Sequence, residues 1–403
     1  MQFILNPLPG FGRPLSEHER ATVGKAAPEK VRPFLVLWGG APETPLVALP
    51  EIADAIGIRS LTIKDEGHRL GQGSFKSLGG AYAVMVLFRR LLEKHLGQEV
   101  RVAQLVSPVA REFARTVTVC CATDGNHGKS VAAGARLLNC RSVIFIHAGV
   151  TPSRAEAIGA DEIIRIDGSY DASVDEARRV AAERGWLLVA DTSWPGYEEI
   201  PGLVAQGYTI LAHEALDQAA AQGHGAPTHV FLQAGVGGFA ASIAAYLTDR
   251  AGADKPRIVI VEPSRAACIY ESTRAGKLVS VTPAEPTLMA MLECYTPSLT
   301  AWRILEKVAD AFITVEEEDA EDAMRRLASR PVAPIVAGES GAAGLAGLLA
   351  AAADEPLRAA LQLGPDSRVL VINTEAATDP FSYTRIVGRA PEAVAAGGHA
   401  AHA

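Results

Sequence analysis

The chain has 403 residues, 48% hydrophobic and 21% charged, an ordinary globular composition with length for two or three domains, each with its own core. A disordered chain, a fibre and a miniprotein are excluded. The formal charge is −8, from 38 Lys and Arg against 46 Asp and Glu without a basic run, so neither nucleic acid nor an anionic membrane is expected as main partner, and a small molecule is.

The opening segment MQFILNPLPGFGRP lacks the charged leader and apolar stretch of a signal peptide. No window reaches the eighteen or so uninterrupted apolar residues of a membrane span, and a cytoplasmic location is expected. Short β-branched runs at 61–64, 115–121, 142–147, 162–166, 187–190, 229–233, 257–262 and 368–373 predict strands. Ala-rich stretches of helical period predict helices over 80–96, 128–138, 171–184, 202–220, 239–250, 318–329 and 341–353. This alternation predicts an α/β fold of parallel sheets covered by helices on both faces. The Ala/Gly/His-rich tail after Arg389 reads as a frayed terminus. Cys120, Cys121, Cys140, Cys268 and Cys294 form no CxxC pair and lie apart from histidine clusters, which favours buried, inert thiols over a zinc site. Cys268 and Cys294 flank a Pro-containing segment and bridge only if their Cα atoms fall within about 7 Å, which a reducing compartment opposes.

Three loops hold most of the chemistry. The first, GQGSFKSLGG at 71–80, puts Lys76 at the mouth of a helix, hemmed by glycines and Phe75. Desolvation and the helix dipole there lower an amine's pKa and make it nucleophilic toward an aldehyde. The plain alternative is a solvated lysine starting a helix. The second, TDGNHG at 123–128, follows an apolar strand and offers polar side chains and helix-start N–H groups to a carboxylate or ring oxygen; it reads equally as a cap and turn. The third, GVGGFA at 235–240, lets backbone amides approach an anion without hindrance from a Cβ. It also fits a dinucleotide fingerprint, with Glu262 ending the next strand about twenty residues on. Taken together, a glycine-framed lysine and an anion cradle favour pyridoxal phosphate over NAD, because the former needs a lysine for its aldehyde, a cradle for its phosphate and a partner for its ring nitrogen.

KDE at 64–66 leading to SFKSLG at 74–79, then TDGNHG at 123–128, GVGG at 235–238 and GESG at 338–341 resemble, in order along nearly the whole chain, the fold-type II pyridoxal-phosphate enzymes of the tryptophan synthase β group. Within that group, TDGNHG, ADTSW at 190–194, GYEEIP at 196–201 and QGY at 206–208 are most similar to the diaminopropionate ammonia-lyase family. The resemblance implies that Lys76 binds the cofactor as a Schiff base and then acts as a base. It implies that Asn126 bonds the cofactor's phenolic oxygen and that the amides of Gly235, Val236, Gly237 and Gly238 hold its phosphate. Thr374 is the implied hydroxyl facing the ring nitrogen, beside Asn373 where relatives carry Ser or Thr. Glu339 is placed near the ring or the entrance, or else is a first-turn carboxylate on a helix dipole.

Two acids carry the substrate reading. An α,β-diamine presents two ammonium groups, so Asp124 and Asp191 supply one carboxylate to bind the side-chain amine and another to take a proton; Asp191 reads alternatively as a strand-end cap. The implied reaction is elimination from D- or L-2,3-diaminopropionate to pyruvate and two ammonia, with Lys76 and Asp124 as bases on opposite faces of Cα. Serine or threonine dehydratase, threonine synthase, an NAD-dependent oxidoreductase on Gly235 to Ala240 and Glu262, and a non-catalytic binding protein are the competing readings. The expected architecture is two domains, each with a mostly parallel sheet flanked by helices. Residues 1–87 and 201–403 form a large cofactor domain and 88–200 a small one, with the site in a closable cleft and a homodimer as the assembly.

Overall fold

The computed structural model describes residues 1–40, 42–123 and 125–399. Its eleven strands are β1 (Phe3–Leu5), β2 (Leu46–Ala48), β3 (Ser60–Asp65), β4 (Thr118–Ala122), β5 (Arg141–His147), β6 (Glu162–Ile166), β7 (Leu187–Leu188), β8 (His229–Gln233), β9 (Arg257–Pro263), β10 (Ala311–Val315) and β11 (Arg368–Asn373). The chain divides into two units. The larger comprises Met1–Lys25, Glu43–Phe75 and Leu211–Ala403, the smaller Ala26–Pro42 and Lys76–Ile210.

The larger unit holds a seven-stranded sheet in the order β1-β10-β9-β8-β11-β3-β2. Its interior pairs are parallel, and only the edge strands β1 and β2 run antiparallel to their neighbours. Strands buried on both faces need continuous apolar runs, and β8 (HVFLQ) and β10 (AFITV) are buried at every position. Helix Glu339–Ala353 covers the sheet closely: an added Cβ on Gly347 would stand 2.9 Å from Val261 Cγ1. The part of the tail that is described is not frayed: residues Pro391–His399 form a helix that buries Val394 in the same core, and residues 400–403 lie outside the described residues.

The carboxyl ends of β8 and β11 lie side by side, at the point where the chain's connections lead away in different directions. Parallel sheets bind ligands at such points. Behind β3 lies a buried charge cluster. Lys64 Nζ pairs with Glu214 Oε2 at 2.8 Å, and Arg69 pairs with Glu66 at 2.8 Å and with Glu214 at 3.0 Å. It ties the segment leading to Phe75 to the second half of helix Glu199–Ala221.

The smaller unit holds the parallel sheet β6-β5-β4-β7. The boundaries fall at 75/76 and 210/211, not at the expected 87/88 and 200/201. Close helix packing explains the first shift. Helix Gly80–Leu96 lies so near Asn126–Leu138 that an added Cβ on Gly80 would stand 2.8 Å from Ser130 Oγ, and one on Gly134 2.8 Å from Ala81 Cα. That helix carries Lys76 with it. Residues 26–42 join through Phe34, whose ring meets Tyr82 edge-on at 5.2 Å. Among the described residues no helix is long and apolar enough to cross a membrane.

Candidate active site

In the smaller unit three polar side chains meet. The turn before helix Asn126–Leu138 is closed by Thr123, whose Oγ1 accepts from the N–H groups of Gly125 and Gly128 at 3.0 Å each. Asn126 and His127 therefore enter the first helical turn buried. On the neighbouring strand β7, pairing ends at Leu188, and Val189 is held by its N–H to Cys120 O at 2.8 Å. His127 Nε2 bonds Val189 O at 2.7 Å, and two residues later Asp191 accepts from Lys76 Nζ at 2.8 Å. His127 Nδ1 lies 3.8 Å from the same Asp191 oxygen.

The electrostatics follow from burial and charge. Burial pushes the Asp191 carboxyl up, but the Lys76 ammonium more than offsets it and holds the group below the usual carboxylate range. Burial pushes His127 below its ordinary value despite the pull of Asp191, leaving a neutral imidazole at pH 7.

Two devices position these groups. Tyr197 Oη donates to Leu188 O at 2.7 Å and accepts from Ala190 N–H at 3.2 Å, and its ring stacks on Trp194 at 4.3 Å. The chain is thus clasped on both sides of Asp191. On the lysine side, Gly79 lies against the Tyr208 ring and Gly207 against Leu78 O so closely that neither has room for a Cβ. Tyr197, His127 and Gly207 were not singled out as site residues in the sequence; the QGY motif at 206–208 was the only signal near the last.

In the larger unit the glycine turn joins β8 to helix Gly238–Ala251. Gly237 has φ +93°, and an added Cβ would stand 2.8 Å from Ile269 Cδ1; one on Gly235 would stand 2.9 Å from Cys294 Sγ. Gly235, Val236, Gly237 and Gly238 thus form a tight turn at a helix start, where N–H groups lack helical acceptors and favour an anion. Thr374 follows β11, and its Oγ1 accepts from Gln233 Nε2 at 3.0 Å. Its own hydrogen is directed to Ser340 O at 3.4 Å. Phe75, which precedes Lys76 in the chain, donates its N–H to Thr374 O at 3.0 Å and packs its ring 4.5 Å from Phe239, just after the glycine turn. Lysine, anion cradle and neutral hydroxyl fit pyridoxal phosphate in kind.

The dinucleotide alternative fails on Glu262. Its two carboxylate oxygens accept from the N–H groups of Ile269 and Tyr270 at 2.8 and 2.7 Å, so it caps a helix, and it is completely buried, out of reach of a ribose. Burial pushes it up to about 8 against those two bonds. Cys268 and Cys294 are not joined by a disulfide; the Cys268 thiol, raised by burial, donates to Gly235 O at 3.7 Å. Glu339 is buried as the first residue of its helix, and Asn373 Nδ2 bonds Asp65 Oδ1 at 2.7 Å. Asp124 lies outside the described residues.

The family description "Pyridoxal-phosphate dependent enzyme" matches residues 37–375. Diaminopropionate ammonia-lyase of Escherichia coli K12 is 38% identical over 397 residues, 96% of each chain, and that of Salmonella typhimurium is 39% identical over 85% of this chain and 87% of its own. A crystal structure of the Escherichia coli enzyme with an aminoacrylate-PLP azomethine intermediate superimposes with a TM-score of 0.84 at 35% identity, covering 96% of each chain. On these matches the chain belongs to the pyridoxal-phosphate-dependent enzymes, in the diaminopropionate ammonia-lyase family.

Proposed function

We propose that the protein eliminates ammonia from 2,3-diaminopropionate and yields pyruvate and two ammonia. The observation that carries this reading is the Lys76–Asp191 pair at 2.8 Å, which sets a carboxylate one-tenth exposed against the lysine amine. A 3-ammonium group needs such a carboxylate; a 3-hydroxyl does not.

In this reading Lys76 takes the cofactor's aldehyde, the N–H groups of Gly235, Val236, Gly237 and Gly238 its phosphate, Asn126 its phenolic oxygen and Thr374 its ring nitrogen. The bound cofactor withdraws electrons from the substrate's Cα and acidifies its C–H bond. Lys76 takes that proton on one face, and Asp124 on the other. Asp191 holds the C3 ammonium in its charged form. When the C3–N bond breaks, its electron pair leaves with the nitrogen as neutral ammonia, and no further proton is needed. The released 2-aminoacrylate hydrolyses to pyruvate and the second ammonia.

The test is the visible spectrum of purified protein, followed by D- and then L-2,3-diaminopropionate with coupled detection of pyruvate. A cofactor band that shifts, with pyruvate from one or both enantiomers and little from serine or threonine, is the expected result. Pyruvate or 2-oxobutyrate from hydroxy amino acids alone would move the protein to the dehydratases. We also read the protein as a cytoplasmic homodimer, the assembly supported by the prevalence of twofold assemblies; light scattering checks it.

A further inference from the structure

His127 Nδ1 is buried and, among the described residues, has no hydrogen-bond partner. A neutral imidazole carries one N–H, and Nε2 uses it on Val189 O at 2.7 Å, so Nδ1 presents a lone pair. Asp191 Oδ2, an ionised acceptor, stands 3.8 Å away. Two acceptors at that separation repel each other and leave a buried site unsatisfied unless a donor enters between them. The group that donates to this oxygen here is the Lys76 ammonium, the same chemical group as a protonated amine on a substrate. An ammonium brings three N–H donors and can serve both acceptors; a hydroxyl brings one.

We propose that His127 Nδ1 and Asp191 together receive the ammonium on C3 of the substrate, with His127 the residue that separates 3-amino from 3-hydroxy substrates. The inference rests on the lyase reading above and assigns the side-chain subsite within it. Among the described residues, Lys76 and Asp191 are the charged groups that act on the imidazole, and they pull it in opposite directions, so the histidine stays neutral while it accepts.

Two variants separate this role from a structural one. His127→Gln puts an amide N–H near Nε2, retains the bond to Val189 O and removes the Nδ1 lone pair. His127→Asn puts an amide oxygen near Nδ1 and gives up the bond to Val189 O. The cofactor-loaded enzymes are titrated through their visible band with 2,3-diaminopropionate, serine and alanine, and kcat/KM is measured for the first two. His127→Gln is expected to lower the diaminopropionate-to-serine ratio of kcat/KM by about 10- to 100-fold, the scale of one bond to a charged donor. It should also weaken diaminopropionate binding while alanine binding stays within about threefold. His127→Asn is expected to keep the ratio, even with a lower melting temperature. An unchanged ratio in His127→Gln, a parallel loss for both substrates, or an equal loss of the ratio in His127→Asn overturns the proposal. Wild-type protein that releases no pyruvate from either enantiomer sinks the lyase reading instead; the titration then decides separately, since no preference for diaminopropionate over alanine removes the subsite.

Discussion

Lys76 and Asp191, 115 positions apart in sequence, meet as an ion pair of 2.8 Å in which neither side chain is more than one-fifth exposed. Removing one partner strands the other. Lys76→Ala should abolish the cofactor's visible band and pyruvate release, and also cost about 2 kcal/mol of stability, because Asp191 keeps its charge without compensation. Lys76→Ala/Asp191→Asn should recover most of that stability and none of the activity. Denaturant titrations of wild type, both singles and the double variant give the coupling; additive losses would show that the pair contributes nothing to folding.

The same pair fixes a pH dependence. Unfolded, an aspartate titrates near about 3.9; folded, Asp191 is held below the usual carboxylate range. The folded state therefore binds that proton less readily, so the stabilisation is present above about pH 4 and fades as pH falls below it. Wild type should melt higher than Asp191→Asn at pH 7, and the gap should narrow toward pH 3. A gap that stays constant between those pH values would show that ionisation of Asp191 is not its source.

Gly207→Ala is expected to uncouple the lysine segment from helix Glu199–Ala221, because an added Cβ runs into Leu78 O. Overpacking of this kind costs about 1–3 kcal/mol. The expected signature is weakened cofactor retention on gel filtration alongside a near-native far-ultraviolet spectrum. Full cofactor occupancy in a stable variant would mean that the segment shifts at no cost.

The sheets were legible because their strands carry their own signal. β8, β9 and β11 are apolar runs that parallel burial demands. β1 and β2 carry no such signal: each is three residues long, and β1 is a strand because Phe3 faces Ile313 across the chain. The lysine and the glycine turn were legible as local motifs. Tyr197 and Gln233 were not, because their roles consist of what their polar atoms touch: Leu188 O and Ala190 N–H for one, Thr374 Oγ1 for the other. His127 stood inside a recognised motif, yet its orphaned nitrogen is a fact of three dimensions. Glu262 shows the converse, since a spacing that suited a ribose contact belongs to a helix cap.

The buried cluster behind β3 gives a prediction of stability. Glu214 serves both Lys64 and Arg69, so Glu214→Gln leaves two buried cations with a single anion, Glu66, between them. A loss of about 3–5 kcal/mol is expected, read from the denaturant midpoint, with fluorescence reporting whether cofactor retention falls in step. A change below about 1 kcal/mol would mean that water reaches the cluster.

Tyr197 reaches back only nine positions to Leu188, and with Trp194 it encloses Asp191 inside one short stretch of chain. The glycine turn and Thr374, by contrast, are brought together by strands more than a hundred residues apart, as the Gln233 bond to Thr374 records. The surroundings of Asp191 and the neighbourhood of the glycine turn are thereby fixed at different scales of the sequence. Residues 188–197 settle the course of the chain around Asp191 through bonds made within ten positions, whereas the Gln233–Thr374 contact exists only once β8 and β11 have paired.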